Sequence, residues 1–223
     1  MRERPFCYAG AMSTIDIVND ADIDTIAGWL NDRMKAAEAA GDGAYFITMP
    51  GGSTPFPILE TMIAREPGPQ WERACFIPND DRIVPEDHEA SNTGKMRELL
   101  GTTGAKITAL GELSEPPHFA LTWLGMGADG HIASLFPNTD PQVDDAEAIR
   151  RITPDPLPEN APFDRITLTL PALLDTQQVV LTLGGSAEKL GVFKAAMAGE
   201  HDLPIARLLG AAKARGIRVT CFT

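Results

Sequence analysis

Short apolar runs alternate with helix-like segments along the chain, and this alternation limits the fold more than any other feature. Residues 44–49, 119–124 and 179–183 are such runs, each short enough to form a buried strand. Strands that alternate with helices form a mostly parallel sheet with helices on both faces. The sequence therefore predicts an α/β fold, with a single domain over residues 1–223 built on a mostly parallel open sheet.

The composition sets limits on the partners of this fold. Hydrophobic residues make up 43% of the 223 residues, which is enough for a sizeable core. The formal net charge of -12 argues against nucleic acid or an anionic membrane as a partner, because both require a basic surface. A small anionic substrate is still compatible with this charge, provided that the protein has a local cationic pocket.

The sequence also indicates the cellular compartment. No apolar run approaches the roughly 20 residues needed to cross a bilayer, and the first residues lack the long apolar segment of a signal peptide. The three cysteines, Cys7, Cys75 and Cys221, are far apart and form no CxxC pair. This pattern predicts a cytoplasmic protein in a reducing environment, with Cys75 and Cys221 as buried structural thiols.

The stretch at residues 119–137 carries the strongest functional signal. Glycines follow the predicted strand at positions 125, 127 and 130, and Asp129 and His131 stand among them. We expect residues 132–136 to begin a helix that Pro137 ends. The carboxylate and the imidazole would then lie at the carboxyl end of a parallel strand, where open α/β sheets bind ligands. An imidazole beside a carboxylate is suited to general-base catalysis, with Gly127 and Gly130 as supporting residues.

Two other interpretations of this stretch are open. The glycine spacing also fits a dinucleotide-binding fingerprint, but Asp129 would place a negative charge against the pyrophosphate. Pro137 and Pro141 would cut short the helix that this fingerprint requires. Alternatively, His131 only caps a helix and binds nothing.

A second turn, at residues 50–55, has the composition of a phosphate-binding loop. Gly51 and Gly52 allow the backbone to approach a ligand closely, and Ser53 and Thr54 supply hydroxyl groups. The helix expected after this turn would add free N–H groups and the positive end of its dipole. The alternative is an ordinary turn with a Ser/Thr helix cap and a proline in the first helical turn.

Charged residues stand at two further strand ends. Asp80, Asp81 and Arg82 follow a short apolar run, and Arg82 is either an anion ligand or a member of a surface ion pair. Lys189 stands in the first turn of a helix capped by Ser186, where its charge opposes the helix dipole, and a bound anion would explain this. We therefore expect four turns to meet at one edge of the sheet: 50–55, 79–85, 125–131 and 184–189.

Five segments match the motifs of one family in the same order. They are MPGGSTP (49–55), NDDRIVPEDHEASN (79–92), LGMGADGHIASLFP (124–137), RITLTLPALL (165–174) and GGSAEKL (184–190). Together they resemble the 6-phosphogluconolactonase family, whose fold is similar to that of glucosamine-6-phosphate deaminase and ribose-5-phosphate isomerase. The resemblance implies hydrolysis of 6-phospho-D-glucono-1,5-lactone to 6-phosphogluconate, the second step of the pentose phosphate pathway. It implies no metal and no organic cofactor, and it leaves open whether the protein is a monomer or a small homo-oligomer.

The resemblance also implies a role for each candidate residue. His131 would take a proton from water and return it to the departing ring oxygen, and Asp129 would orient the imidazole. Arg82 would bind the phosphate or stabilise the oxyanion. Asp80 and Asp81 would support this site, although the family usually has Glu at position 81. The phosphate would be held by Gly51, Gly52, Ser53 and Thr54, with Lys189 as a second cation.

Two alternatives share the same scaffold. The amino-sugar phosphate deaminase branch resembles this chain, but its motif DGHIAFNEP has a glutamate where this chain has Phe136, and an aromatic residue replaces Arg82. Both differences favour the lactonase. A sugar-phosphate sensor without catalytic activity would need the phosphate-binding loop but would not need both Asp129 and His131.

Overall fold

The computed structural model describes residues 15–66, 68–157 and 161–223 of the chain. The strands are β1 (Ile15–Val18), β2 (Tyr45–Met49), β3 (Ala74–Pro78), β4 (Asp80–Arg82), β5 (Lys106–Ile107), β6 (Leu121–Leu124), β7 (Ile149–Ile152), β8 (Arg165–Leu168), β9 (Gln178–Thr182) and β10 (Arg218–Phe222). The helices are α1 (Ile23–Ala39), α2 (Pro55–Arg65), α3 (Asn92–Leu100), α4 (Leu170–Leu173), α5 (Ala187–Ala198) and α6 (Pro204–Arg215).

A seven-stranded sheet forms the centre of the molecule, in the order β1-β10-β9-β6-β2-β3-β5. All neighbouring strands of this sheet run parallel, which confirms the predicted fold class. A second, antiparallel sheet of three strands has the order β4-β8-β7, and the sequence did not indicate it separately. The chain passes from β3 into β4 through Asn79 alone, so the smaller sheet begins at the carboxyl edge of the larger one.

Helices cover both faces of the large sheet, as the sequence predicts. Successive side chains of a strand point to opposite faces, and in β9 the side chains of Val179 and Leu181 belong to one buried cluster and that of Val180 to another. The cluster around Val180 includes side chains from α1, α2 and α3. The other cluster includes side chains from α4, α5 and α6. The sheet is therefore buried on both sides, as parallel sheets require.

The predicted helix at residues 132–136 is wrong. Ile132 and Leu135 instead form a short antiparallel bridge across a tight turn, and Ala133 has a positive φ of 49°. Ile132 and Leu135 are both almost fully buried, and the backbone N–H of Ser134 donates to Oγ1 of Thr167. Contacts with the rest of the fold therefore override the local helical tendency. A single 3₁₀ turn, Pro137–Thr139, follows.

The sequence predicts a short helix from Pro204 to Leu209, but α6 continues to Arg215 because buried Ala212 extends its apolar face. The sequence predicts an apolar side of α5 formed by Phe193, Ala196 and Met197. Phe193 and Ala196 are buried, but Met197 is 42% exposed.

Several smaller predictions are confirmed. The sequence predicts either Asp20 or Asp22 as the cap of α1 and Ser186 as the cap of α5. Asp22 and Ser186 accept hydrogen bonds from the backbone N–H of Thr25 and Lys189, respectively. Cys75 and Cys221 are free, buried thiols, whereas Cys7 lies outside the described residues. Among the helices that the structure describes, none combines the length and apolar character needed to cross a membrane.

Candidate active site

The carboxyl ends of β9, β6, β2 and β3 lie side by side, so the four predicted turns meet at one edge of the sheet. A pocket of about 310 Å³ opens between them. The predicted site residues that line it are Gly51, Gly52, Ser53, Thr54, Asp80, Arg82, Gly127, His131 and Lys189. Asp81, Asp129 and Gly130 do not line the pocket, but each contacts a residue that does.

A larger cavity of about 950 Å³ shares Ser53 and Thr54 with this pocket. Its charged side chains are Asp20, Asp22 and Asp24, and it has no lysine or arginine. The charge of an anionic ligand is therefore complementary to the smaller pocket, which contains Arg82 and Lys189.

Asp129 and His131 form a close pair at the edge of the pocket. The Nδ1 atom of His131 lies 2.6 Å from Oδ1 of Asp129, which also accepts a hydrogen bond of 3.2 Å from the His131 backbone N–H. The His131 ring packs against the Phe136 ring, with 4.9 Å between the ring centroids. The side chain of His131 is 33% exposed. The carboxylate and the aromatic ring thus fix the imidazole, while the partly exposed His131 side chain lines the pocket.

The two glycines of this loop each allow a close contact. A Cβ on Gly127 would lie 2.3 Å from the His131 ring and 2.5 Å from Oδ1 of Asp129, so a side chain there would displace the pair. Gly130 has a φ of 78°, and a Cβ there would lie 2.8 Å from Leu203 at the start of α6. The loop therefore requires glycine at both positions.

The loop at residues 51–54, which we call the cradle, leads into α2. Gly52 has a φ of 94°, a conformation that favours glycine. Thr54 occupies the N-cap position of α2 but makes no side-chain capping hydrogen bond. Of the ordinary-turn alternative, the proline in the first turn of α2 is observed but the Ser/Thr side-chain cap is not, and Ser53 and Thr54 line the pocket.

Asp80 and Arg82 lie on one face of the short strand β4, and both line the pocket. The Asp80 carboxylate accepts a hydrogen bond from Oγ of Ser134. Burial raises the pKa of this carboxyl group, against the opposing effects of the Ser134 hydrogen bond and the charges of Arg82 and Arg165. Because a protonated carboxyl group carries no charge, this raised pKa reduces the electrostatic repulsion between Asp80 and an anionic ligand in the pocket.

The Arg82 guanidinium is held on one side only. Its NH1 group donates to the carbonyl of Ala90 at 2.9 Å, and its buried Nε has no hydrogen-bond partner among the described residues. Within the same part of the chain, Arg82 makes no ion pair, so the alternative of a simple surface salt bridge is not observed. Its remaining donors can therefore bind a ligand.

Asp81 points away from the pocket and holds the start of α3. Its carboxylate accepts four hydrogen bonds of 2.6–2.9 Å, from the backbone N–H groups of Arg82, Asn92 and Thr93 and from the Thr93 hydroxyl. Asp81 is 6% exposed. The carboxylate at this position supports the site by fixing α3 against β4.

Lys189 completes the cationic side of the pocket. It lies in the first turn of α5, and no carboxylate of the described residues forms an ion pair with it. Arg82 and Lys189 thus provide two cations without a salt-bridge partner in a chain of net charge -12. This arrangement suits a small ligand that carries a compact negative charge.

Sequence reasoning missed three polar residues at or near this site. Asn92 lines the pocket, whereas the sequence suggested only that Ser91 or Asn92 begins a helix. Ser134 binds Asp80, and buried Arg165 is the cross-strand partner of Arg82. The alternating pattern of residues 165–170 predicted a half-buried strand, but no local signal showed that an arginine would be one of its buried members.

Comparison with known proteins agrees with this geometry. Residues 19–110 and 102–216 match the sequence model of a family described as glucosamine-6-phosphate isomerases/6-phosphogluconolactonase. The chain is 33% identical over 211 residues to a 6-phosphogluconolactonase from Pseudomonas aeruginosa, covering 80% of this chain and 87% of that protein. It is 32% identical over 208 residues to a 6-phosphogluconolactonase from Pseudomonas putida, covering 83% and 84%.

A solved structure shows the same fold. The crystal structure of a 6-phosphogluconolactonase from Shewanella baltica superimposes with a TM-score of 0.77 at 26% identity, covering 96% of this chain and 99% of that one. The sequence match extends over most of the chain and includes the turns that form the pocket. The chain therefore belongs to the glucosamine-6-phosphate isomerase/6-phosphogluconolactonase family.

Proposed function

We propose that this chain hydrolyses 6-phospho-D-glucono-1,5-lactone to 6-phospho-D-gluconate, with His131 as the general base. The observation that carries the proposal is the 2.6 Å Asp129–His131 pair beside a pocket that also contains Arg82 and Lys189. This combination offers a base for water and cations for a phosphate in one small space. The relatives named 6-phosphogluconolactonase support the choice of substrate.

His131 acts through Nε2. The Asp129 carboxylate accepts the hydrogen bond of Nδ1–H, so Nε2 carries the lone pair that can take a proton. Nε2 removes a proton from a water molecule as its oxygen attacks the lactone carbonyl, which becomes a tetrahedral oxyanion. When this intermediate collapses, the bond from the carbonyl carbon to the ring oxygen breaks. The imidazolium returns its proton to that oxygen, and a carboxylic acid and an alcohol result.

We assign the phosphate to the cradle, Arg82 and Lys189, which line the same pocket as His131. The cradle supplies hydroxyl and backbone N–H groups, and Arg82 and Lys189 supply positive charge. Arg82 lies on the same face of β4 as Asp80, so it can instead stabilise the oxyanion if the lactone carbonyl turns toward it. A fixed phosphate places the lactone ring next to His131. The energy of phosphate binding thereby contributes to the rate, because it orients the reacting groups.

Two observations favour hydrolysis over the alternatives. Phe136, which stands where the deaminase branch has its glutamate, packs its ring against His131 and brings no carboxylate to the imidazole. A sensor would need only the cradle and its cations, yet this chain also holds a carboxylate 2.6 Å from the imidazole at the pocket edge.

The direct test is the rate of ring opening of freshly generated 6-phosphogluconolactone, after subtraction of spontaneous hydrolysis. We expect a clear acceleration by the wild-type protein and no release of ammonia from glucosamine 6-phosphate. Ammonia release at a comparable rate would assign the chain to the deaminase branch. Tight phosphate-ligand binding without any acceleration would favour the sensor.

A further inference from the structure

We propose that Asn92 is a positioning residue, which holds the cradle at Gly51 in register with the turn that carries Asp80 and Arg82. This inference rests on the proposed function, because it concerns how that site recognises a phosphate. Asn92 lines the pocket with only 2% of its surface exposed, and we assign its effect on binding to the distance that it fixes between the two phosphate-binding elements.

Asn92 is fixed from two sides. It is the first residue of α3 and is 2% exposed. Its backbone N–H donates to Oδ1 of Asp81 at 2.7 Å, and its side-chain Nδ2 donates to the backbone carbonyl of Asp80 at 2.8 Å. Both groups bind the strand that carries Arg82, so the carboxamide cannot move independently of that strand.

The same carboxamide fills the space beside Gly51. A Cβ on Gly51 would lie 2.0 Å from Oδ1 and 2.4 Å from Nδ2 of Asn92, far closer than side chains approach. Glycine is therefore the only residue that fits at position 51 while Asn92 keeps its place. The cradle follows β2, and β4 follows β3. The close contact between Gly51 and Asn92 therefore couples the carboxyl ends of β2 and β3.

The segment that ends in Asn92 also holds the guanidinium of Arg82. The carbonyl of Ala90, two residues earlier, accepts the hydrogen bond from NH1 of Arg82 at 2.9 Å. Ala90 therefore contacts the arginine that we assign to the phosphate, and Asn92, two residues later, contacts the cradle. Because a phosphate must bind to both at once, a shift of this segment weakens binding even if each element stays folded.

The environment of the Asn92 Oδ1 atom distinguishes a positioning role from a role in stability alone. It is buried and has no hydrogen-bond partner among the described residues, an arrangement that costs stability. Replacing Asn92 with alanine removes this unpaired acceptor along with the hydrogen bond to Asp80. We therefore expect Asn92→Ala to weaken 6-phosphogluconate binding clearly, with a comparatively small change in Tm.

A double-mutant cycle tests the inference with four proteins: the wild type, Asn92→Ala, Gly51→Ala and the double variant. Calorimetry gives the dissociation constants for 6-phosphogluconate and for inorganic phosphate, and thermal unfolding gives Tm. Each single change should weaken 6-phosphogluconate binding by about tenfold or more, the effect of one impaired contact to a charged group. The double variant should bind no more weakly than the weaker single variant, because Asn92→Ala removes the atoms that the new Cβ would strike.

The matched control is Ser91→Ala. The Ser91 hydroxyl caps the same helix by accepting a hydrogen bond from the backbone N–H of Gly94, but it does not line the pocket. This change should lower Tm and leave the affinity for 6-phosphogluconate within about twofold of the wild-type value, which is the usual error of such comparisons.

Three results would overturn the inference while leaving the proposed function intact. They are wild-type affinity of Asn92→Ala for 6-phosphogluconate, multiplication of the two single effects in the double variant, and an equal loss of affinity in Ser91→Ala. Failure of the wild-type protein to bind 6-phosphogluconate would overturn both the inference and the proposed function.

Discussion

His131 is the residue on which the proposed chemistry depends. Water is a poor nucleophile at neutral pH, and a positioned base typically contributes about 10²–10⁴-fold to a rate. We therefore expect His131→Ala and His131→Asn to lower kcat by a factor in this range. The affinity for 6-phosphogluconate should change little, because the cradle, Arg82 and Lys189 lie on other elements of the fold. Steady-state kinetics above the spontaneous background, together with calorimetry, measure both quantities.

The chain contains a matched control for this prediction. His118 and Asp175 form a second pair with the same 2.6 Å separation between Nδ1 and Oδ1, but neither residue lines the pocket. His118→Asn and Asp175→Asn should leave kcat at the wild-type value. Asp129→Asn should cause a milder loss than removal of His131, since it keeps the base and changes only the orientation and charge balance of the ring. Normal turnover in the His131 variants would place the base elsewhere.

Asp80 should reduce the stability of the fold at neutral pH. Burial raises the pKa of its carboxyl group above the unfolded value, so the folded state binds this proton more tightly than the unfolded state. Protonated Asp80 therefore stabilises the folded state at low pH, and this contribution is lost as the pH rises through the raised pKa. Asp80→Asn should therefore raise Tm near neutral pH, and the gain should shrink toward about pH 4, where the unfolded carboxyl group also becomes protonated.

Asp81→Asn is the natural comparison, because the neighbouring carboxylate is stabilised by its surroundings. Four donors within 2.9 Å converge on it, and an amide NH₂ group would face some of those donors. We expect Asp81→Asn to lower the unfolding free energy by about 3 kcal/mol, within the range for breaking buried charged hydrogen bonds. Thermal unfolding of both variants at two pH values distinguishes the two carboxylates. The same direction of change in both would contradict the assigned environments.

At the scale of elements, the loop after β6 depends on its glycines. Gly127→Ala would press a methyl group against the His131 ring and Asp129, so kcat should fall while the phosphate affinity persists. Gly191→Ala is a matched change within α5, where an added Cβ meets no atom within 4 Å. It should raise stability by about 0.5–1 kcal/mol, since alanine favours a helix interior over glycine. Unimpaired turnover in Gly127→Ala would show that the pair tolerates displacement.

Most elements could be predicted because their signals are local. The apolar runs at β2, β6 and β9 are short and continuous, and the caps Asp22 and Ser186 immediately precede their helices. The segment at residues 132–136 could not be predicted, because its conformation depends on distant partners. Ser134 bonds to Thr167 and Asp80, residues 33 and 54 positions away. The antiparallel sheet likewise depends on a pairing of Arg82 with Arg165 that no local pattern encodes.

The residues of the candidate site divide in the same way. Those on glycine-rich turns after strands could be predicted, because all parallel strands of one sheet bring such turns to a common edge. Asn92 could not, because its importance arises from its contact with Gly51, forty-one positions earlier. Its local signal, a polar residue at a helix start, also fits an ordinary cap.

At the scale of the whole molecule, the charge distribution matters more than the net charge. A chain of net charge -12 repels an anionic substrate at long range, so attraction must come from the pocket. Added salt screens both the long-range repulsion and the short-range attraction, but a partly buried contact is screened less. The affinity for 6-phosphogluconate should therefore depend only weakly on ionic strength.

With the same charge balance, the proposed recognition of the phosphate depends on the two pocket cations, Arg82 and Lys189. Arg82→Ala and Lys189→Ala should each weaken 6-phosphogluconate binding by about 1–3 kcal/mol, the range for a charge-assisted hydrogen bond. Hydrolysis of an unphosphorylated gluconolactone should change much less. Lys194→Ala is the control, because it removes the same charge from an exposed position of α5 outside the pocket. If Lys194→Ala weakens binding as much as Lys189→Ala, the attraction is a general effect of net charge. If phosphorylated and unphosphorylated ligands lose affinity equally, Arg82 and Lys189 do not recognise the phosphate.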